Sequence, residues 1–223
     1  MTMASGSVAG LTASHNRGGS YFRARATPTN PSSPAQAVAR GALTGLVNAW
    51  QSILTEVQRI SWKVYADNVP TVDSLGQPLT LTGQQAYIRA NTPRVVAGLG
   101  LVNDAPTVFD SGQAVIGIQD IVPGPPTTFQ ANFSASTGEN GDMLIQVGPA
   151  QANSINYYAG PYRWITKAAI SSGITFTFAT VTDAEQVFGT WVENARIPLR
   201  LRNTFDDGRL SAPWRGFLVI PGP

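Results

Sequence analysis

A hydroxyl residue followed three positions later by glutamine occurs three times in the first half of this chain. The three motifs begin at Ser33, Thr55 and Thr82. In such a capping box the hydroxyl accepts from the N3 backbone N–H, and the glutamine side chain accepts from the cap's own N–H, so two otherwise unpaired donors are satisfied. Pro34 then falls at a first helical position, where no N–H is needed. The spacing predicts three helices, at 34–54, 56–67 and 83–91.

Apolar residues recur every three or four positions on the first two helices, which predicts one buried face on each. The predicted core positions are Val38, Ala42, Leu46, Trp50 and Ile53 or Leu54 on the first helix, and Val57, Ile60, Val64 and Tyr65 on the second. Because short amphipathic helices are marginal alone, we expect one helical core with Trp50 and Trp62 near its centre. We expect the third helix to end before Pro93, since the residue before proline avoids the helical region.

Beyond Pro106 the pattern changes to alternating apolar and polar residues, which is typical of strands with one buried face. The alternating segments are 129–135, 143–147, 174–178, 197–202 and 217–220. Asn140-Gly141 predicts a hairpin between the first two segments, and Asp206-Asp207-Gly208 predicts another turn. Pro198 predicts an edge strand, because proline lacks a backbone donor.

These signals together predict an α+β chain in three parts. The parts are an extended N-terminal arm at 1–32, a small three-helix domain at 33–103 and an Ig-like antiparallel β-sandwich at 104–223. Prolines at the end of the arm favour an extended backbone, and one short strand is predicted at 20–27. The arm is either a solvated tail or a segment that becomes ordered by adding a strand to a sheet edge of another subunit. Its candidate interaction residues are Tyr21, Phe22, Arg23 and Arg25.

Charge is scarce and unevenly distributed. Charged residues make up 13% of the chain, against roughly 25% in ordinary soluble domains. Such a surface suits either a protein packed against neighbours or a solvated β-rich domain. The first 55 residues contain no acid, acids outnumber bases between 104 and 193, and the C-terminus is basic again. This favours contacts between copies or with an acidic partner. Arg200 and Arg202 alternate with Leu199 and Leu201, so we expect them on the outer face as interaction residues.

The residues available for catalysis or ligand binding predict no reaction. Cysteine is absent, which excludes disulfides and thiolate sites. His15 is the single histidine and lies in the arm, away from any obvious triad partner. The carboxylates show no spacing that selects a glycosidase pair, and Asp206-Asp207 lacks the other ligands of an EF-hand. No cofactor, metal or catalytic residue is predicted, and we expect no small-molecule substrate.

The aromatic residues between 157 and 164 allow two interpretations. Tyr157, Tyr158, Tyr162 and Trp164 form either a stacking platform for a sugar or base or the packed end of the β domain. Nucleic acid is not an expected partner, because the arginines of the arm are too few. No membrane-span pattern or signal peptide is recognised, so we expect the protein to be made and used without the secretory route.

Several short motifs in the first half occur together in one order. They are the stretch Thr29–Gln36, the stretch Leu54–Arg59, Trp62 with Tyr65, Leu81-Thr82-Gly83, and Tyr87 with Asn91. Over about residues 6–91 the chain resembles uncharacterised structural virion proteins of tailed bacteriophages and prophages. The second half is similar to that family only in being all-β. The resemblance implies a virion protein, assembled in the host cytoplasm, that contacts its own copies and other virion proteins and carries no catalytic residue.

The resemblance leaves the position in the particle open. Capsid decoration, a neck or connector and a tail component are all consistent with it. The alternative function is a carbohydrate-binding module that recognises the host surface.

Overall fold

The computed structural model contains three α-helices and three antiparallel β-sheets within the residues that it describes. These residues are 6–16, 19–26, 32–72, 76–110, 118–123, 129–133, 140–170, 174–178 and 194–219. The chain divides into two units, Met1–Ala39 and Arg40–Pro223. It is a mixed α+β protein, as the sequence predicts.

The first unit forms three strands where the sequence predicts one. They are β1 (Gly6–Val8), β2 (Leu11–Asn16) and β3 (Gly19–Ala24), which pair antiparallel in the order β1-β2-β3. The Arg25 N–H donates to the Gly10 carbonyl at 2.8 Å and extends the second ladder. The arm is therefore extended in backbone but pairs with itself. The proline-rich stretch at 27–31 lies outside the described residues.

The helices begin where the capping motifs predict. They are α1 (Pro34–Ser52), α2 (Glu56–Asn68) and α3 (Gly83–Val96). Thr55 with Gln58, and Thr82 with Gln85, form complete capping boxes with both reciprocal bonds. Two of the three helix starts are thus fixed by contacts within four residues of sequence.

The third capping motif, at the start of α1, forms only in part. Ser33 accepts from the Gln36 backbone N–H at 3.4 Å. The side-chain oxygen of Gln36 is buried without a hydrogen-bond partner. The reciprocal bond of this box is therefore not made.

The predicted apolar face of α1 is buried only toward the C-terminal end of the helix. Leu46 is buried, and of the two alternatives after the helix Leu54 is buried while Ile53 is 64% exposed. Ala42 is half-buried, and Val38 is exposed. The N-terminal half of the stripe therefore does not reach the helical core.

The helical core is centred on Trp62, whereas Trp50 is only partly buried. The rings of Tyr65 and Tyr87 stand edge-on to Trp62, with centroids 5.8 Å and 5.6 Å away. The buried core residues are Leu46, Ala49, Leu54, Trp62, Tyr65, Ala66, Ala86, Tyr87 and Ala90. The prediction of a shared centre is correct for one tryptophan of the two.

The predicted core face of α2 is wrong except at Tyr65. Val57, Ile60 and Val64 are 73%, 55% and 45% exposed. The opposite side of the helix, which carries Trp62 and Tyr65, is buried. α2 is apolar on two sides, and the aromatic side faces the core because large rings remove more apolar surface from water.

The prediction that α3 ends before Pro93 is also wrong, because the helix continues through Pro93 to Val96. The amide of Asn91 is fully buried and bonds both the N–H and the carbonyl of Val102, at 2.8 Å and 3.1 Å. Arg94 in the last turn is buried as well. These tertiary contacts hold the helix beyond a residue that local preference would place at its end.

In the described part of the second unit, seven strands form two antiparallel sheets. The strands are β4 (Ile118–Pro123), β5 (Phe129–Phe133), β6 (Gly141–Val147), β7 (Arg163–Ala169), β8 (Ile174–Phe178), β9 (Arg196–Phe205) and β10 (Trp214–Val219). One sheet has the order β10-β9-β6-β7 and the other β4-β5-β8. Each predicted strand segment overlaps one of these strands. The predicted turn at Asp206-Asp207-Gly208 is also present, directly after β9.

The predicted hairpin at Asn140-Gly141 is not formed. β5 pairs with β4 and β8, whereas β6 pairs with β7 and β9. Gly141 has a different role, since a Cβ at this position would collide with the backbone carbonyl of Thr204. The glycine marks a close approach of two strands rather than a two-residue turn.

Pro198 lies in an interior strand, so the edge prediction is wrong. β9 pairs with β10 on one side and with β6 on the other. The Pro198 carbonyl accepts from the Gly148 N–H at 2.8 Å. In an antiparallel strand the N–H and C=O of one residue point to the same side, so the missing donor faces a position just beyond Val147, where β6 has ended. The proline therefore lacks only the reciprocal bond to Gly148, which lies one residue beyond the last β6–β9 pair, Val147 with Leu199.

Arg94 links α3 to the end of β9. Its Nη1 donates to the Phe205 carbonyl at 2.9 Å, and its Nε donates to the Gly100 carbonyl at 2.8 Å. Trp62 adds a bond from its indole N–H to the Asn103 carbonyl at 2.8 Å. The helices, the segment after α3 and β9 thus share buried polar contacts.

Candidate interaction surfaces

The strand register of the arm sheet orders its side chains in rows. The rows are Val8–Leu11–Ala24, Ser7–Thr12–Arg23, Gly6–Ala13–Phe22 and Ser14–Tyr21. Successive rows point to opposite faces of a sheet. The hydroxyls of Ser7 and Thr12 hydrogen-bond at 3.0 Å, as expected for neighbours on one face.

The arm sheet is therefore amphipathic. One face carries Val8, Leu11, Ala13, Phe22 and Ala24, called the apolar arm face below, and the pair His15 and Ser20 continues this face at one end. Its polar arm face consists of Ser7, Thr12, Ser14, Tyr21 and Arg23. Apart from His15 and Ser20 at its end, the first face is apolar, whereas every side chain named on the second can hydrogen-bond.

The four predicted interaction residues of the arm do not form one patch. Phe22 belongs to the apolar arm face, whereas Tyr21 and Arg23 belong to the polar arm face. Arg25 continues the same alternation and lies with the polar residues. The structure thus brings three of the four together and separates Phe22 from them.

The apolar arm face is uncovered. Val8, Leu11 and Phe22 are 80%, 54% and 70% exposed. No arm residue whose exposure is described, from 6 to 26, is buried. A three-stranded sheet gains independent stability when its apolar face is covered. The apolar arm face is therefore suited to pack against another layer of protein.

A second candidate surface lies on β9. Leu199 and Leu201 are fully buried, and Arg200 and Arg202 alternate with them on the opposite face of the strand. Both arginines are half-buried. The Arg202 Nε donates to the Ser211 carbonyl at 2.6 Å, whereas the Arg200 Nε is buried without a hydrogen-bond partner.

Positive charge is concentrated around these two arginines. Arg215 lies directly opposite Arg200 on β10, and within the described residues none of the three forms an ion pair. Burial, with Arg89 and Arg200 nearby, lowers the pKa of Arg202 to about 10. Burial and the charge of Arg215 also lower the pKa of Arg200. An outer face of this kind attracts acidic groups of a neighbour.

The aromatic residues before β7 pack against one another. Tyr158 and Tyr162 stand edge to face with centroids 5.1 Å apart. Their hydroxyls donate to the carbonyls of Pro161 and Tyr158, at 2.8 Å and 3.0 Å. The Tyr158 ring also lies so close to Gly148 that a Cβ there would clash with it. Of the four predicted aromatic residues, Tyr157 alone is exposed, at 75%.

Sequence reasoning missed an apolar ridge on α2. Val57, Ile60 and Val64 are exposed in a line along the helix. Ile60 borders an open groove of about 620 Å³, whose walls also include Trp50 and Leu81. The sequence does show apolar residues on two opposite sides of α2, but it does not show which of the two sides is buried.

His15 belongs to the first unit of the chain, and the carboxylates considered for catalysis belong to the second. His15 is exposed on β2 opposite Ser20. Asp207 accepts from Arg209 Nε at 2.6 Å, and Arg209 Nη1 also donates to Asp110 at 2.7 Å. The Asp207 and Asp110 carboxylates thus hold the turn after β9. Among the described residues no cluster of three or more His, Asp or Glu side chains is arranged to hold a metal.

No protein-family model matches this chain, and no curated protein is significantly similar to it. None of the helices in the described ranges has both the length and the apolar character needed to cross a membrane. The surfaces described above are therefore the structural basis for a proposal of function.

Proposed function

We propose that this protein is a non-enzymatic structural component of a tailed-phage virion, in the capsid decoration, the neck or connector, or the tail. The observation that carries the proposal is the exposed apolar arm face. Burying a Val, Leu or Phe side chain contributes about 1.5–3 kcal/mol. Covering the exposed parts of Val8, Leu11 and Phe22 with a neighbouring subunit therefore contributes a few kcal/mol to each assembly contact.

Two further features support an assembling role. The ridge of Val57, Ile60 and Val64 gives a second uncovered apolar surface, and contiguous apolar surface on a protein marks an interaction site. The arginine-rich face of β9 and β10 offers charge complementarity to acids of a neighbour, which tunes association rate and specificity. The partners in this proposal are copies of the chain and other virion proteins.

The two sheets of the second unit form an Ig-like sandwich in the same proposal. The apolar face of β9 consists of Ile197, Leu199 and Leu201, which are all fully buried. The sequence of β8 alternates apolar residues with threonine, a pattern typical of sandwich strands.

The alternative function, carbohydrate binding at the host surface, has less support from the aromatic residues before β7. A sugar platform needs ring faces open to solvent, and Tyr158 and Tyr162 use their rings and hydroxyls on each other and on the backbone. The exposed ring of Tyr157 remains as a single point of contact. We therefore keep the assembly function as the conclusion.

Quantitative mass spectrometry of purified particles tests the proposal, and the copy number indicates the position in the particle. A variant lacking residues 1–32 should be lost from particles, while its main thermal transition stays near that of the full chain. A matched variant, Ser7→Ala with Ser14→Ala, alters only the polar arm face and should be incorporated normally. Absence of the intact chain from particles, or normal incorporation of the shortened chain, would contradict the proposal.

A further inference from the structure

We propose that the arm sheets of two copies stack face to face through their apolar arm faces, about a two-fold axis parallel to β2. This rests on the proposed assembly function and names the partner of the arm as a second copy of the same chain. Two amphipathic sheets stacked in this way form a small two-layer core about 10 Å thick. The uncovered face of each copy then covers the other.

Shape favours a second copy as the occupant. A two-fold axis parallel to the central strand places β1 of one copy over β3 of the other. Phe22 then lies over Gly6, where no side chain fills the space, and Val8 lies over Ala24. Each bulky side chain on an outer strand meets a small one, as interdigitating sheet faces require.

The central strand fits the same arrangement. Leu11 and Ala13 on β2 face their own copies across the axis. An isologous interface requires such self-complementarity, in which each contact is made twice. The two apolar rows of this small sheet satisfy it without any change of register, and His15 on the same strand meets its own copy at the end of the interface.

The charges of the arm are compatible with stacking. Arg23 and Arg25 lie on the polar arm face, and the first 55 residues contain no acid. Face-to-face stacking directs both arginines outward, away from the contact between the two sheets. The like charges of these arginines therefore do not meet in the interface.

The size of the surface predicts weak pairing. The exposed parts of Val8, Leu11 and Phe22 amount to roughly 300–400 Å² per copy. A stable dimer buries about 800 Å² per partner. Stacked arms therefore separate in dilute solution and persist where a particle holds subunits close together, since effective concentration replaces intrinsic affinity.

The absence of cysteine allows a direct test with the full-length purified chain. Ala13→Cys places one thiol at the two-fold axis, and Thr12→Cys places one on the adjacent residue of the same strand but on the opposite face. Stacked sheets hold facing Cα atoms about 10 Å apart, beyond the reach of a disulfide, so a short bismaleimide is the probe. We expect A13C to give linked dimers that increase between about 1 µM and 1 mM protein, and T12C to give few.

A second pair of variants tests the same interface at a residue other than the introduced cysteine. In the A13C background, Phe22→Asp should reduce linking at least about tenfold, because a central aromatic contact is lost and a charge is placed in the interface. Tyr21→Asp changes the opposite face of the same strand and should leave linking nearly unchanged. Circular dichroism of each variant verifies that the fold is retained.

Four outcomes would overturn this inference. Equal linking of A13C and T12C, no linking of A13C at the highest concentration, or insensitivity to F22D each contradicts face-to-face stacking. Linking of A13C in particles to a different virion protein, without self-linking, also overturns it but leaves the proposed virion function standing. Failure of the virion function is a separate result, namely absence of the intact chain from particles.

Discussion

Replacing Trp62 by alanine should destabilise the second unit more than any other single change in the helical core. Trp62 is fully buried, and its ring packs edge-on against Tyr65 and Tyr87. Its indole N–H donates to the Asn103 carbonyl at 2.8 Å. The side chain therefore connects α2, α3 and the segment that follows α3.

The expected magnitude follows from these contacts. Emptying a buried tryptophan site costs about 3–5 kcal/mol, and leaving the Asn103 carbonyl without its donor adds about 1 kcal/mol. We expect Trp62→Ala to lower the free energy of unfolding by about 4–6 kcal/mol. Trp62→Phe keeps much of the apolar area but loses the donor, so we expect about 1.5–3 kcal/mol.

Trp50→Ala is the matched control. Trp50 is partly buried and makes one tilted ring contact with Tyr87, at a centroid distance of 5.7 Å. We expect Trp50→Ala to lower the free energy of unfolding by about half as much as Trp62→Ala, roughly 2–3 kcal/mol. The assay is urea unfolding followed by far-UV circular dichroism, because the chain has five tryptophans and fluorescence would change with each substitution. A cost for Trp50→Ala equal to or above that for Trp62→Ala would refute the assignment of Trp62 as the centre.

Three further predictions address packing, pH and charge. Gly83→Ala should lower the melting temperature, because the added Cβ would lie 2.8 Å from a backbone nitrogen of α2. Gly45 has open space around it, so Gly45→Ala should raise the free energy of unfolding by up to about 1 kcal/mol. Stability changes of the same sign in the two variants would contradict this reasoning. Burial raises the pKa of Tyr65 to about 12, so the neutral ring stabilises the fold fully below its unfolded pKa of about 10, and this contribution is lost as the pH rises toward 12. In Tyr65→Phe the free energy of unfolding should therefore fall less steeply between pH 10 and pH 12 than in the unsubstituted protein. Parallel curves of unfolding free energy against pH for the two proteins would argue against this. Arg200→Gln together with Arg202→Gln should slow assembly and weaken its dependence on salt, and unchanged light-scattering kinetics at low and high salt would show that this face makes no assembly contact.

The sequence by itself determined the features that depend on neighbouring residues. The capping boxes at Thr55 and Thr82 are closed within four residues, so the starts of α2 and α3 were predictable. The alternation around Leu199 and Leu201 fixed which residues of β9 face outward, because the period of a strand is two. The turn at Asp206 was also predictable, because Asp and Gly favour turns through the conformation of their own and neighbouring backbone.

Only the tertiary structure decided features that depend on distant partners. α3 passes Pro93 because Asn91 and Arg94 bond to residues after the helix. Pro198 is accommodated in an interior strand because β6 ends beside it. No local pattern carries this information, since each case depends on what another segment places opposite the residue.

The interaction surfaces show the same division. The sequence pointed to Tyr21, Phe22 and the nearby arginines as residues for contact, but it did not show that the arm pairs with itself. The register of β1, β2 and β3 placed Phe22 with Val8 on one face and Tyr21 on the other. On α2 the sequence offered two apolar sides, and the aromatic side was buried because it removes more apolar surface from water. Residue type determined which side chains suit an interface, whereas strand pairing and packing determined which of them are left uncovered on one surface.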